Sequence, residues 1–304
     1  MEKKYVFTKV KCIETTVLSL LIAVLVSFGS LSSFAQEEVK KEGPWKTGGD
    51  FSLSFSQLSL SNSWSAGGEN STSLTTFMNL FANYSKGKMQ WDNSLGMAYG
   101  LVKLKSDDAK KSDDKIDFTS KLGFKASKKW NYSALLNFKT QFAKGFDYSG
   151  EEAVMMSNLL SPAYLVLSLG MDYKPSDIFS LYLSPMSLKS TFVMDQTLSD
   201  AGAFGVDAGQ NYRAEVGAFV KAELKKEIFK NINLMTSLNL FSNYFENPEN
   251  VDVDWQVQLN MKINKYISTH LHTHLIYDYD VVFEDKNGVV QFKELFGTGI
   301  SFNF

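Results

Sequence analysis

The 304-residue sequence holds one cysteine, one arginine, three histidines and one long apolar run, and each scarcity excludes something. Cys12 falls in a leader that the sequence predicts to be removed. The remaining chain then has no disulfide, no thiol chemistry and no lipid-modified cysteine at its start. The apolar run, Val17 to Val26, is preceded by Lys3, Lys4, Lys9 and Lys11 and followed by Ser33-Phe34-Ala35. Positive flank, short apolar segment and small residues at the exit predict a secretory signal peptide over 1–35, cut between Ala35 and Gln36. A membrane anchor would need about 20 apolar residues. No second run of helix length exists, which excludes a helical inner-membrane protein. The net charge of −2 carries no basic excess, which excludes a nucleic-acid partner.

What the chain has is alternation. In Val251 to Asn264 the apolar residues Val251, Val253, Trp255, Val257, Leu259, Met261 and Ile263 interleave with polar ones throughout. One face of such a strand is greasy and the other wet, and the stretch exceeds the usual strand of about five or six residues. It fits a tilted bilayer-crossing strand. The same period recurs along the chain, for example Trp91 to Leu101 on odd positions, Trp130 to Phe142 on even ones, and Tyr212 to Leu224 on even ones. The count is about twelve segments. Phase breaks at Leu58–Leu60 and Pro185 predict bulges in the first and seventh.

Connections alternate long and short, as in KSDDAKKSDDK then SKK, or MDQTLSDAGAFGVDAG then KKEIFKN. This rhythm predicts an all-β fold, a transmembrane antiparallel up-and-down β-barrel with short periplasmic turns and long extracellular loops. A soluble sandwich or propeller also alternates but has neither the rhythm nor the strand length. The expected organisation is a signal peptide 1–35, a periplasmic segment 36–45 and a barrel 46–304, located in the outer membrane of a Gram-negative bacterium. Trp45, Trp91, Trp130, Tyr132, Tyr173, Tyr244, Tyr277 and Tyr279 sit near segment ends, as interfacial girdles do. Phe296, Ile300, Phe302 and the terminal Phe304 share a face. That ending resembles the signal read by the barrel-assembly machinery, with Gly297 where a polar residue is usual.

Four stretches, Ser59–Ser71, Leu160–Val193, Gly217–Tyr244 and Leu275–Asp280, resemble the outer-membrane barrel family called domain of unknown function 3078, found among the Bacteroidota. The resemblance implies a barrel of the same kind and brings no activity, ligand, cofactor or catalytic residue.

Parity nominates the lumen. His270, His272 and His274 share the inward face with Ser268, Asp278 and Asp280, and Asp252 and Asp254 come from the preceding strand. Three residues at i, i+2 and i+4 span about 13 Å on a strand, so polar packing is favoured over one shared metal. Arg213, Glu215, Lys221, Glu223, Lys121, Lys125 and Lys139 form a further inward set of mixed charge. Phe77, Phe81, Phe219 and Phe241 also fall inward and favour a narrow or plugged lumen. Ser268 with His270 raises a lipid hydrolase, disfavoured because the pair faces inward at the periplasmic end. Asp107, Asp108, Asp113 and Asp114 read as a solvated loop, Gly67-Gly68 as a turn, and Trp64 as a residue able to fold inward. The expected function is a non-enzymatic channel or carrier for small solutes or hydrophobic compounds. The alternatives are a structural or partner-binding barrel, acting through the loops Phe142–Pro162 and Met194–Gln210, and a lipid-modifying hydrolase. Outer-membrane lipid and the assembly machinery are the expected partners.

Overall fold

Residues 43–60, 70–104, 108–150, 152–283 and 286–304 are described in a computed structural model. The leader, positions 36–42, Trp64, Gly67-Gly68 and Asp107 lie outside the described residues. Period-2 patterning becomes twelve long strands: β1 (Trp45–Leu58), β2 (Ser71–Lys86), β3 (Met89–Leu104), β4 (Lys110–Lys125), β5 (Trp130–Thr140), β6 (Ala163–Tyr173), β7 (Phe179–Phe192), β8 (Tyr212–Phe229), β9 (Ile232–Asn243), β10 (Asp252–Lys262), β11 (Ile267–Tyr277) and β12 (Gln291–Asn303). Each pairs antiparallel with its chain neighbours, and β12 pairs with β1 to close the ring.

The outside is apolar because alternate residues have nowhere else to go. On β12, Phe292, Phe296, Ile300 and Phe302 point away from the barrel and stay exposed, as do Leu167 and Leu169 on β6 and Trp255 on β10. A continuous apolar wall of this extent needs lipid against it. Aromatic rings mark its short-turn edge: Trp45 packs on Tyr84 and Trp91, and Trp130 on Tyr173. At the opposite edge Phe192 packs on Tyr212 and Tyr99 on Phe142.

Short turns at 87–88, 126–129, 174–178, 230–231 and 263–266 share one rim with both ends of the barrel domain. The connections 59–70, 105–109, 141–162, 193–211, 244–251 and 278–290 share the other. Two of the long ones carry structure of their own. A small hairpin pairs Gly145–Asp147 with Val154–Ser157, and a helix, α1 (Gln196–Asp200), is capped by Asp195, whose side chain accepts from the N–H groups of Thr197 and Leu198. Val193, Leu198 and Val206 form a buried cluster with Met155 of the other loop packed on it, so the two loops share a core.

Three expectations need correction. Pro185 does mark a bulge, where β7 slips register against both β6 and β8. In contrast, β1 pairs with β2 without a slip from Trp45 to Leu58, so the break at Leu58–Leu60 is the strand's end and not a bulge. Asp113 and Asp114 are not in a solvated loop. A register shift at Gly100 and Leu101 lets β4 continue to Lys110, so both become buried wall residues. Lys125 ends β4 and is exposed at the short-turn rim, outside the lumen.

Candidate functional site: a divided lumen

Inward parity gathers the polar residues of opposite strands into one interior. The hairpin of β10 and β11 sets His274 opposite Gln256, His272 opposite Gln258 and His270 opposite Asn260. Near the long-loop end, Lys189 of β7 donates to Asp252 at 2.6 Å and Asp278 at 3.2 Å, with Glu215 at 3.5 Å. One ammonium thus faces three carboxylates. Lys139 of β5 meets Asp254 of β10 at 2.6 Å, and His274 Nε2 lies 3.1 Å from the same carboxylate. Lys293 of β12 donates to Asp113 of β4 at 2.6 Å. Charges as buried as Asp113, Lys189 and Glu215 are retained only when paired and hydrogen-bonded.

The single arginine binds three long connections together. Arg213 donates through Nη1 to the carbonyl of Gly205 at 2.9 Å and through Nη2 to Asp280 at 2.7 Å and Glu246 at 3.0 Å. A planar fork with several donors suits this role where an ammonium would not. Gly205 and the preceding Phe204 both have left-handed backbone, with φ 72° and 60°. For a bulky residue that conformation is strained. Its ring lines the cavity below, so the strained turn hangs an aromatic over the mouth.

Apolar packing fills much of one side. Leu135, Tyr182, Phe219 and Phe241 form a buried cluster with Val166 against it, all on the inward faces of β5 to β9. On the other side Phe77 of β2 meets His272 edge-on, ring centres 6.0 Å apart. Phe81, also inward, stands exposed toward the short-turn end.

The space left over is divided. An outer cavity of about 320 Å³ runs under Phe204, with Tyr164, Val166, Phe219 and Phe241 on one wall and Asp252, Asp254, Asp278 and His274 on another. A middle cavity of about 380 Å³ holds His272, Phe77, Lys221 and Glu223. A cavity of about 530 Å³ at the short-turn end holds His270, Ser268, Lys225 and Lys262. The three histidines therefore face three different spaces. Among the described residues, no three His, Cys, Asp or Glu side chains group so as to hold one metal ion. Ser268 is engaged by Ser301 at 2.5 Å and His270 Nδ1 by Asn260 Oδ1 at 2.7 Å, so the two do not form a Ser–His dyad.

Of the remaining lumen charges, Lys121 meets Asp172 at 2.9 Å and Lys221 meets Glu223 at 3.5 Å. Sequence reasoning missed Lys115, Asp117, Gln256, Lys189, Lys293 and Asp172. All alternate inward, and that parity was the available signal. Lys115 Nζ donates to Gln256 Oε1 at 2.6 Å, joining β4 to β10 across half the ring.

Outside the barrel wall, the Asn158 amide donates to Asp195 Oδ2 at 2.8 Å. That bond, with the N–H groups of Leu198 and Thr197, holds the Asp195 carboxyl below its ordinary range.

Residues 55–146 match the model of a family described as Protein of unknown function (DUF3078). The family resemblance is thereby shown over that segment, which contains the first of the four stretches noted above. No curated protein matches the chain in sequence. Among solved structures the chain is similar to the NanC porin, at 9% identity and a TM-score of 0.38 over 83% of this chain and 98% of that one. It is similar to an outer membrane channel from Pseudomonas putida F1, at 12% identity and a TM-score of 0.37 over 88% and 97%. The CymD monoaromatic hydrocarbon channel follows at 12% identity and a TM-score of 0.32 over 87% and 88%.

Proposed function

We propose that this outer-membrane-type barrel is a gated channel or carrier, which takes a small solute into the outer cavity and passes it along a lumen closed at rest. The carrying observation is that the interior is not packed solid. Cavities of about 320, 380 and 530 Å³ follow one another down the barrel, each sharing a few lining residues with the next. A pocket near 300 Å³ is at the lower end of the range for small-molecule sites, and its aromatic wall beside a few polar groups is their usual make-up. In this reading residues 1–35 deliver the chain to the periplasm, 36–45 remain there, and the Phe304 ending is read by the assembly machinery. The barrel then resides in the outer membrane of a Gram-negative cell. His270, His272, His274, Asp252, Asp254, Asp278 and Asp280 line the solute's route, and the protein performs no chemistry on it.

Uptake of small sugars, amino acids and aromatic hydrocarbons into liposomes carrying the refolded protein tests the reading. Faster uptake of any of them than into empty liposomes supports it. Rates equal to empty liposomes for all of them, with no saturable binding, end it.

A partner-binding role has one observation in its favour. Phe146, Val154, Met156, Leu159 and Phe245 are exposed on the long connections, where no lipid covers them. Pull-down with loop variants, set against the uptake assay, separates the two roles.

A further inference from the structure

The outer and middle cavities have only three lining residues in common: Lys115, Asn239 and Gln256. Two of these are the pair that bonds across the barrel at 2.6 Å. Lys115 is steadied from its own strand by Asp117 at 3.4 Å, and Gln256 donates through Nε2 to Asp254 at 3.1 Å. Asp254 is in turn held by Lys139 at 2.6 Å. The result is one hydrogen-bonded bar from β4 to β10 and back to β5, lying where one cavity ends and the next begins.

We infer that the Lys115–Gln256 contact is the shutter of the lumen, opened by side-chain rotation without movement of any strand. This rests on the channel reading above and adds where and how it is closed. The wall has no part in the bar: both residues belong to strands whose ladder bonds run to their own neighbours. Lysine and glutamine side chains have several rotatable bonds and swing between staggered rotamers without disturbing the backbone. The bond at the centre is ionised on one side only. Its acceptor is a neutral amide, whereas Lys139, Lys189 and Lys293 all face carboxylates and gain the attraction of a full ion pair as well. A solute in the outer cavity that offers an acceptor to Lys115 would replace what Gln256 gives.

The loops clasped by Arg213 lie over the same path, so the test compares chains with and without that clasp. Four proteins are refolded and inserted in planar bilayers in potassium chloride: the unaltered chain, Arg213→Ala, Lys115→Ala with Gln256→Ala, and all three together. Circular dichroism and heat-modifiable mobility confirm a closed barrel in each. The shutter predicts stepwise current in the triple variant and none in Arg213→Ala alone. Equal current in those two, both silent or both conducting, overturns it, as does steady conduction by the unaltered chain. Solute uptake by the unaltered chain is measured separately, so loss of the shutter and loss of the channel reading leave different records.

Discussion

The two halves of the lumen are built from the same twelve strands and are closed to different degrees. In the outer half every inward cation described is matched: Lys189 to three carboxylates, Arg213 to Asp280 and Glu246, Lys139 to Asp254, Lys293 to Asp113. In the inner half Lys121 and Lys221 still meet Asp172 and Glu223, but Lys225 and Lys262 make no ion pair within 4 Å among the described residues, and the cavities are larger. Closure therefore belongs to side chains and to long connections on one side, while the wall is uniform. What distinguishes the halves is how far inward groups reach across, because the strands themselves alternate alike on both sides of the divide.

The largest effect expected is on packing. Phe219→Ala should cost about 3–5 kcal/mol, the range for truncating a buried phenylalanine, in urea unfolding of the refolded barrel followed by tryptophan fluorescence. Next, Asp254→Ala strands Lys139 and deprives His274 and Gln256, and should cost about 3 kcal/mol. Lys262→Ala in the inner half should stay within about 0.5 kcal/mol, as surface changes do. Similar losses for Asp254→Ala and Lys262→Ala would erase the distinction between the halves.

Arg213→Lys keeps the charge and loses the fork. Protease cleavage within 193–211, 244–251 and 278–290 should rise together, because one side chain holds all three; a rise in one alone would mean that the clasp is not shared. Confined to one connection, Asp195→Ala should weaken the α1 segment by about 1 kcal/mol, the usual worth of such a cap. Its carboxyl is depressed in the folded state, so its contribution is complete above the unfolded value of about 3.9. It is lost as pH falls through the lower folded value. Amide exchange in Gln196–Asp200 should accelerate over that interval, and exchange independent of pH, once corrected for its intrinsic rate, would contradict the cap.

Much of the wall was legible because a strand's two faces alternate without exception. Tyr212 to Leu224 told outside from inside on β8, and Arg213, Glu215, Lys221 and Glu223 turned inward with it. Parity says which side a residue takes and not what it meets there. Nothing local ties Lys115 to Gln256, or Lys139 to Asp254, since partners across a ring depend on its diameter and on the stagger of every strand. Asp113 and Asp114 misled for a different reason. Acidic pairs flanked by lysines read as a loop, and the register shift that carries β4 past them leaves no mark on hydropathy. Asp114 repays burial by accepting from the N–H groups of Phe142 and Ala143, and both lie past the strand's end at Thr140.

The closing pair deserves a mechanical reading. β1 meets β12 over Asp50 to Ser54, against Trp45 to Leu58 for β1 with β2. The carbonyl of Leu53 lies where a side chain on Gly299 would sit, 2.0 Å from an added Cβ, so only glycine lets the ends come that close. A cylinder joined by one short rivet line tears there first. Under pulling or detergent stress the wall should unzip between its first and last staves, with the other eleven joints still made.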